Sequence, residues 1–261
     1  MAQGDFSASK LACRIYFFAF VGHNIGLSVY RHQQNDGRYS VESTAWRFRD
    51  KLIPWRTESL TRTLNTLNLP LFPLNTVLFP GGPLPLRIFE PRYLDMVSAS
   101  VKQDKPFGVC LIKRGEEAGH AAEPHTIGTL AKIVDWDQLT DGTLGITARG
   151  GERFLVEHYE VQQNQLTVGA VSMIPDDPIV ATPAEYSPLI ELLRHLLPQA
   201  GDLYSDVERD FDNASWLGCR LAEILPIDLP EKQALLELTS PLQRLKSIDE
   251  VLHQLRERQP T

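Results

Sequence analysis

The chain has 261 residues, 43% hydrophobic and 23% charged, with 26 Lys and Arg against 33 Asp and Glu, a formal net charge of −7. At about 100–200 residues per domain this is one large domain or two small ones with a real core; chain-wide disorder, collagen-like repetition and a coiled-coil rod are excluded. Cys13, Cys110 and Cys219 are far apart and form no C-x-x-C pair, which argues against a disulfide framework or a thiolate zinc site.

Residues 1–68 hold 9 basic and 5 acidic residues, a net +4, whereas the other 193 hold 17 and 28, a net −11. The apolar run Leu11–Gly22 contains Arg14, is about half the roughly 20 residues a bilayer crossing needs, and has no small-x-small cleavage site after it. Residues 23–65 show no sustained periodicity, so 1–68 is expected to be a poorly ordered basic extension. Met1 is the only methionine before Met96, and a compact domain begins near Leu69. A start assigned too far upstream and a genuine flexible extension both remain open.

From Leu69 to Ile174 short apolar runs alternate with turn residues. Leu84, Leu86 and Ile88 have the period of 2 of a strand with one buried face, and Phe107–Lys113 is continuous enough for a central strand. Further strands are expected at Thr126–Trp136, Leu144–Ala148, Arg153–Tyr159 and Gln165–Ile174, with a primed hairpin turn at Asp141-Gly142. Together they predict a small, mostly antiparallel β-barrel over 69–176. One helix starts at Pro91, with Leu94, Val97 and Val101 on its buried face, and plugs one end of the barrel.

The acidic, proline-bounded connector Pro175–Pro178 leads to a helical period, giving an α-helical subdomain over 177–261. Ser187-Pro188 caps a helix burying Leu189, Leu192, Leu193, Leu196 and Leu197, with Thr182-Pro183-Ala184-Glu185 a competing start. A second helix runs from about Asn213 to Leu225 with Trp216, Leu217 and Leu221 inward. Pro230 opens a third, and Ser240-Pro241 caps a last one carrying Leu242, Leu245, Ile248, Leu252 and Leu255.

Candidate chemistry is sparse. His120 and His125 lie in a mobile acidic loop with Glu116, Glu117 and Glu123, which holds no rigid ligand frame, so no metal is expected. Cys110 and Cys219 read as core residues. No G-x-S-x-G turn exposes a serine, and Asp202, Asp206, Glu208, Asp210 and Asp212 lack the glycine and closing glutamate of an EF-hand, which leaves a solvated surface. Phe89-Glu90-Pro91-Arg92-Tyr93 supplies the candidate substrate-binding residues Phe89, Arg92 and Tyr93, since Arg and Tyr are enriched among interface anchors. The favoured account is structural: Glu90 caps the helix, Arg92 pairs with a nearby carboxylate and Tyr93 packs under the barrel rim.

The block LPLFPLNTVLFPGGPLPLRIFEPRYLDMV (69–97) resembles the start of the Lon protease N-terminal, substrate-binding domain. Phe107-Gly108-Val109, Ile127–Ala131, Asp141-Gly142, Gly151-Glu152-Arg153-Phe154 and Leu229–Glu237 follow in that family's order, over roughly 69–258. The resemblance implies an α+β fold, a PUA-like barrel followed by a helical bundle, in a freestanding form of the domain. The family's proteases continue into an ATPase and a Ser-Lys peptidase. Here no G-x-x-x-x-G-K-[ST] loop occurs, and Pro83 removes an N–H from the Gly81-Gly82 turn, so neither ATP binding nor catalysis is expected.

The reading that follows is a cytoplasmic, non-enzymatic module, monomer or weak dimer, without cofactor. It binds unfolded or extended segments of client proteins, in a cleft beside the helices or along a barrel edge, alongside a separate protease. The alternative is RNA binding through the PUA-like barrel, which the acidic body and the lack of a basic, aromatic-interleaved stripe make a poor fit.

Overall fold

The computed structural model describes residues 66–257 and four short strands upstream, and its contacts divide the chain into two compact units, Met1–Arg62 and Thr63–Thr261. In the first, β1 (Tyr30–Gln33) pairs antiparallel with β2 (Tyr39–Glu42), and β3 (Arg47–Phe48) with β4 (Lys51–Leu52), in a stretch with no legible strand period. The run Leu11–Gly22, Cys13 and the ends of the expected extension lie outside the described residues.

The second unit opens with β5 (Leu67–Leu74), β6 (Pro83–Ile88), α1 (Pro91–Gln103), β7 (Phe107–Arg114), β8 (Glu123–Gln138), β9 (Leu144–Val161) and β10 (Thr167–Met173). The strands pair in the order β10-β5-β7-β8-β9-β6, and β10 also pairs with β9, so five strands close on themselves in a ring with β6 outside it. Every pairing is antiparallel except β5 with β7, whose parallel register (Leu71 opposite Gly108) needs the crossover that β6 and α1 supply. Phe72, Leu74, Phe107, Val109 and Ala148 fill the interior with Tyr93, Met96 and Val97 of α1.

In the strand-rich part, three details differ from the sequence reading. β9 is one strand of 18 residues, not two, because Gly150-Gly151 bends it without breaking it. The Gly150 amide donates to the Gly82 carbonyl and its own carbonyl accepts from Gly81, both at 2.8 Å, and a Cβ at Gly150 would run into the Phe79 carbonyl. Helix α1 is rotated: it buries Arg92, Tyr93, Met96, Val97 and Ser100 and leaves Leu94 and Val101 exposed. The inward stripe carries Tyr93, stacked on Phe72 with ring centroids 3.8 Å apart, and a large aromatic offers more apolar area to bury than Leu or Val. At the hairpin only Gly142 has positive φ (84°), with Asp141 taking the amide and hydroxyl of Thr143, so the turn is not the two-residue primed type.

Beyond β10 come α2 (Ser187–Leu196), α3 (Ala214–Ile224), α4 (Leu229–Glu237) and α5 (Pro241–Glu257), with 3-10 turns at Ala184–Tyr186 and Leu197–Tyr204. Asn213 caps α3, its Oδ1 accepting from the amides of Ser215 (3.0 Å) and Trp216 (3.3 Å), while Pro226 holds Leu225 extended and ends it. Ser187 lies inside α2 and donates its hydroxyl to the Ala184 carbonyl (2.6 Å) instead of capping. Leu242 is exposed and Trp216 half-buried, against the inward expectation; Leu245 and Ile248 are fully buried, and the Leu255 side chain lies outside the described residues. None of the described helices is long and apolar enough to cross a membrane.

Helices and ring share a second core in which Val77, Phe79 and Leu111 meet Leu193, Leu217 and Leu221. Polar locks fix it. The Asp177 side chain, 8% exposed, accepts from Arg153 Nη2 and Arg244 Nη1, both at 2.6 Å, and from the Ser215 hydroxyl at 2.6 Å. Arg153 also donates to the carbonyls of Leu236 (2.7 Å) and Leu238 (2.6 Å), and Arg244 to those of Leu235 (2.9 Å) and Leu238 (2.5 Å). A second lock places Arg220 of α3 against the Gly81-Gly82 turn: its Nη2 donates to the Pro80 carbonyl (2.7 Å) and to Glu223 Oε1 (2.6 Å). A Cβ at Gly82 would overlap the Glu223 carboxylate. Tyr204 donates its hydroxyl to the same carboxylate at 3.2 Å. Burial pushes the Glu223 carboxyl up to about 7, against the opposing pull of Arg220.

Asp177→Asn leaves two buried guanidiniums without a counter-charge, and urea unfolding should show a loss of about 3–5 kcal/mol. The raised Glu223 carboxyl makes a second prediction. The folded state holds this proton more tightly than the unfolded state, where a Glu titrates near about 4.3. The stabilising contribution is therefore complete at low pH and is lost as pH rises through about 7. Stability measured from pH 5 to pH 8 should fall more steeply in the wild type than in Glu223→Gln; parallel curves would refute the assignment.

Candidate functional site

The block containing Phe89, Arg92 and Tyr93 is split by the fold. Phe89 is 60% exposed, whereas Arg92 and Tyr93 are buried at 4% and 5%. Arg92 pairs with Glu90 (2.9 Å), donates to the Gln165 carbonyl (2.9 Å) and lies over the Tyr93 ring, so it ties the start of α1 to the β9–β10 turn. Glu90 stands at the N-cap but makes no side-chain cap; its carboxylate takes Arg92 and the Gly119 amide instead. Burial raises the Tyr93 phenol above its ordinary range.

A different surface is open. β8 and β9 are longer than the ring requires, and their outer halves run on with β6 as a three-stranded ribbon. Register sets Asp135, Thr147 and Pro85 in one row across it and Asp137, Gly145 and Arg87 in the next. These rows form a groove of about 360 Å³, with Leu139 at its end and Trp136 on its border. Gly145 leaves the floor without a side chain, and Leu139 Cδ2 lies 3.0 Å from where its Cβ would stand. Trp136 is 63% exposed and Val134 54%. Arg87 is engaged by Asp141 and by Thr143 Oγ1 (3.0 Å).

Both edges of this ribbon are blunted. β6 carries Pro83 and Pro85, which supply no amide N–H. On β8 the amides of Trp136 and Gln138 donate to the side chains of Asp135 (2.9 Å) and Asp137 (2.7 Å), which cover the donors an incoming strand would use. The groove therefore offers its face rather than its edges. A smaller cleft of about 220 Å³ lies between ring and helices, lined by Pro80, Arg153, Asp177, Ser215, Trp216 and Cys219, with Ile179 beside it. Of its charged groups, Arg153 and Asp177 are already spent on the Asp177 lock, and Asp176 is exposed.

Among the described residues no group of three or more His, Cys, Asp and Glu converges as a metal site. Glu123 is held by Lys113 (2.8 Å) and Arg114 (3.1 Å), and hydrogen bonding from Lys113 lowers its pKa; Glu117 accepts from the Asn75 amide. The amides of Gly81 and Gly82 are taken by Gly150 and Phe79, so that turn has none to offer a phosphate. Cys110 lies in β7 and burial pushes its thiol up to about 12; Cys219, within α3, is raised by the same cause. Asp202, Asp206, Glu208, Asp210 and Asp212 are all exposed.

Compared with known families, residues 68–254 match the model of the ATP-dependent protease La (LON) substrate-binding domain. The chain belongs to the Lon substrate-binding domain family. A solved Lon N-terminal domain protein from Xanthomonas campestris is 36% identical, with a TM-score of 0.58, matched over 74% of this chain and 99% of that one. The N-terminal domain of Lon protease from the Mycobacterium avium complex, 18% identical with a TM-score of 0.51 over 70% of this chain and 97% of that one, shares the fold. Lon protease 2 of Myxococcus xanthus is 27% identical over 197 residues, 72% of this chain and 24% of its own length. Lon protease of Anaeromyxobacter dehalogenans is 26% identical over 197 residues, again 72% of this chain, and 23% of its length. The chain thus matches about a quarter of these relatives, the part assigned to substrate recognition.

The groove was missed in the sequence because its residues fit the period of an ordinary strand. The available signal was Asp135-Trp136-Asp137: an aromatic between two acids, at the far end of a strand from the core. For the thiols, iodoacetamide at pH 8 should leave Cys110 and Cys219 unmodified in the native protein and alkylate both after denaturation, read by mass spectrometry.

Proposed function

We propose that this protein is a non-enzymatic, cytoplasmic recognition module, a monomer or weak dimer, that holds unfolded or extended segments of client proteins. The closed ring of strands is taken as a PUA-like barrel (69–176), and the helices as the bundle (177–261) that completes a Lon N-terminal domain, with a basic extension (1–68) before it in sequence. The exposed face of the β6–β9–β8 ribbon carries this reading: folded chains rarely leave a tryptophan as open as Trp136 beside a preformed groove unless something covers it. No nucleophile, base and oxyanion donor converge there, and both described thiols are buried. The family, in which this domain belongs to an ATP-dependent protease, supports delivery of the held segment to a separate protease. Phe89, 60% exposed, is available as an outlying contact, while Arg92 and Tyr93 act by holding α1. An RNA partner is not supported: Asp135 and Asp137 line the groove, and phosphates need the opposite charge.

In fluorescence anisotropy with the full chain, a reduced and carboxymethylated reporter protein should bind saturably and its native form should not. Trp136→Ala should raise the dissociation constant about tenfold. Equal affinity for native and unfolded reporter would sink the reading, and an unchanged Trp136→Ala would remove the groove from it.

A further inference from the structure

The electrostatics of the ribbon face select among extended segments, an inference that rests on the recognition reading above. Asp135 and Asp137 stand in successive rows of the groove, two residues apart on β8, and are exposed. Asp135 accepts the backbone amide of Trp136 at 2.9 Å, and Asp137 that of Gln138 at 2.7 Å. Neither has a basic partner among the described residues. The single cation lining the groove, Arg87, is occupied at the turn by Asp141 and Thr143. The groove thus carries two uncompensated negative charges beside the apolar surfaces of Leu139 and Pro85. The blunted edges of β6 and β8 direct a ligand onto the face, where side chains rather than main-chain hydrogen bonds decide affinity.

We propose that this groove is a selective site for client segments in extended conformation that carry a Lys or Arg two positions from a bulky apolar residue. An extended backbone sends side chains at i and i+2 to the same side about 6–7 Å apart, the same repeat that separates Asp135 from Asp137. The basic side chain meets the carboxylates, and the apolar one covers Gly145 against Leu139. Arg serves better than Lys because its fork reaches both rows. Segments with an acid in the basic position are rejected by like charge.

The test uses the full chain and three fluorescein-labelled unstructured peptides of roughly ten residues, identical except for Arg, Gln or Glu two positions from a single Leu. At low salt the Arg peptide should bind about fivefold tighter than the Glu peptide, and that ratio should collapse in about 1 M salt. The double variant D135N/D137N retains the amide acceptors and should bring the ratio near one. The control E208Q/D210N, which alters exposed acids elsewhere, should leave it intact. Should the double variant fail to fold, as judged by circular dichroism, the salt titration of the wild type decides alone. A ratio near one in the wild type, or a ratio equal in D135N/D137N and the control, overturns the charge selection. If the unfolded reporter still binds, the recognition reading survives that result; if it does not, both fall.

Discussion

One carboxylate holds the two layers of this protein together. Asp177 leaves the last strand on the connector and sits between the guanidiniums of Arg153, from the ring, and Arg244, from the last helix, with Ser215 of α3 as third donor. Burying three charges is costly, and it is tolerated because the arginines spend their remaining donors on the carbonyls of Leu235, Leu236 and Leu238 at the open end of α4. The orphaned end of one helix is thereby satisfied by side chains from two other elements. The connector, which its prolines already stiffen, becomes a fixed part of the frame rather than a hinge.

The groove is a consequence of how the ring closes. Five strands suffice for closure, and β8 and β9 exceed what closure needs, so their surplus length stands out as a ribbon with β6 beside it. The glycine at position 150 lets the turn at Phe79–Gly82 come against the middle of β9, where the ribbon leaves the ring. Arg220 and Glu223 of α3 press on that turn from the other side. The orientation of the binding face is therefore set by backbone packing at its root.

Local physics was legible in the sequence. The period of Leu84–Ile88, the continuous run of β7, and the start and end of α3 near Asn213 and Leu225 each depend on neighbours within a few residues, and each was read close to its place. What escaped reading depends on contacts across the chain. The glycine pair at 150–151 looks like a turn until Gly82, nearly seventy positions away, is known to pair with it. The stripe of α1 that faces inward is chosen by Phe72, not by the helix. Arg92 and Tyr93 carried the composition of an interface anchor, yet they are packed under the ring, because composition does not distinguish an Arg that meets a partner from one that meets a carbonyl at Gln165. Trp136 has the opposite character: hydrophobic enough to read as core, it lies beyond the point where the core ends.

The parallel pairing of β5 with β7, and the closure of β10 on β5, set a timetable for assembly. Leu67 meets Val171 across a loop of about a hundred residues, whereas β8 and β9 are joined by a turn of a few residues. During synthesis the hairpin and its β6 neighbour emerge and pair before β10 exists, and Arg244 is made later still. The adhesive face of the molecule is thus assembled while the frame that supports it is incomplete, so a chain cut short between Val161 and Arg244 carries the groove without the lock.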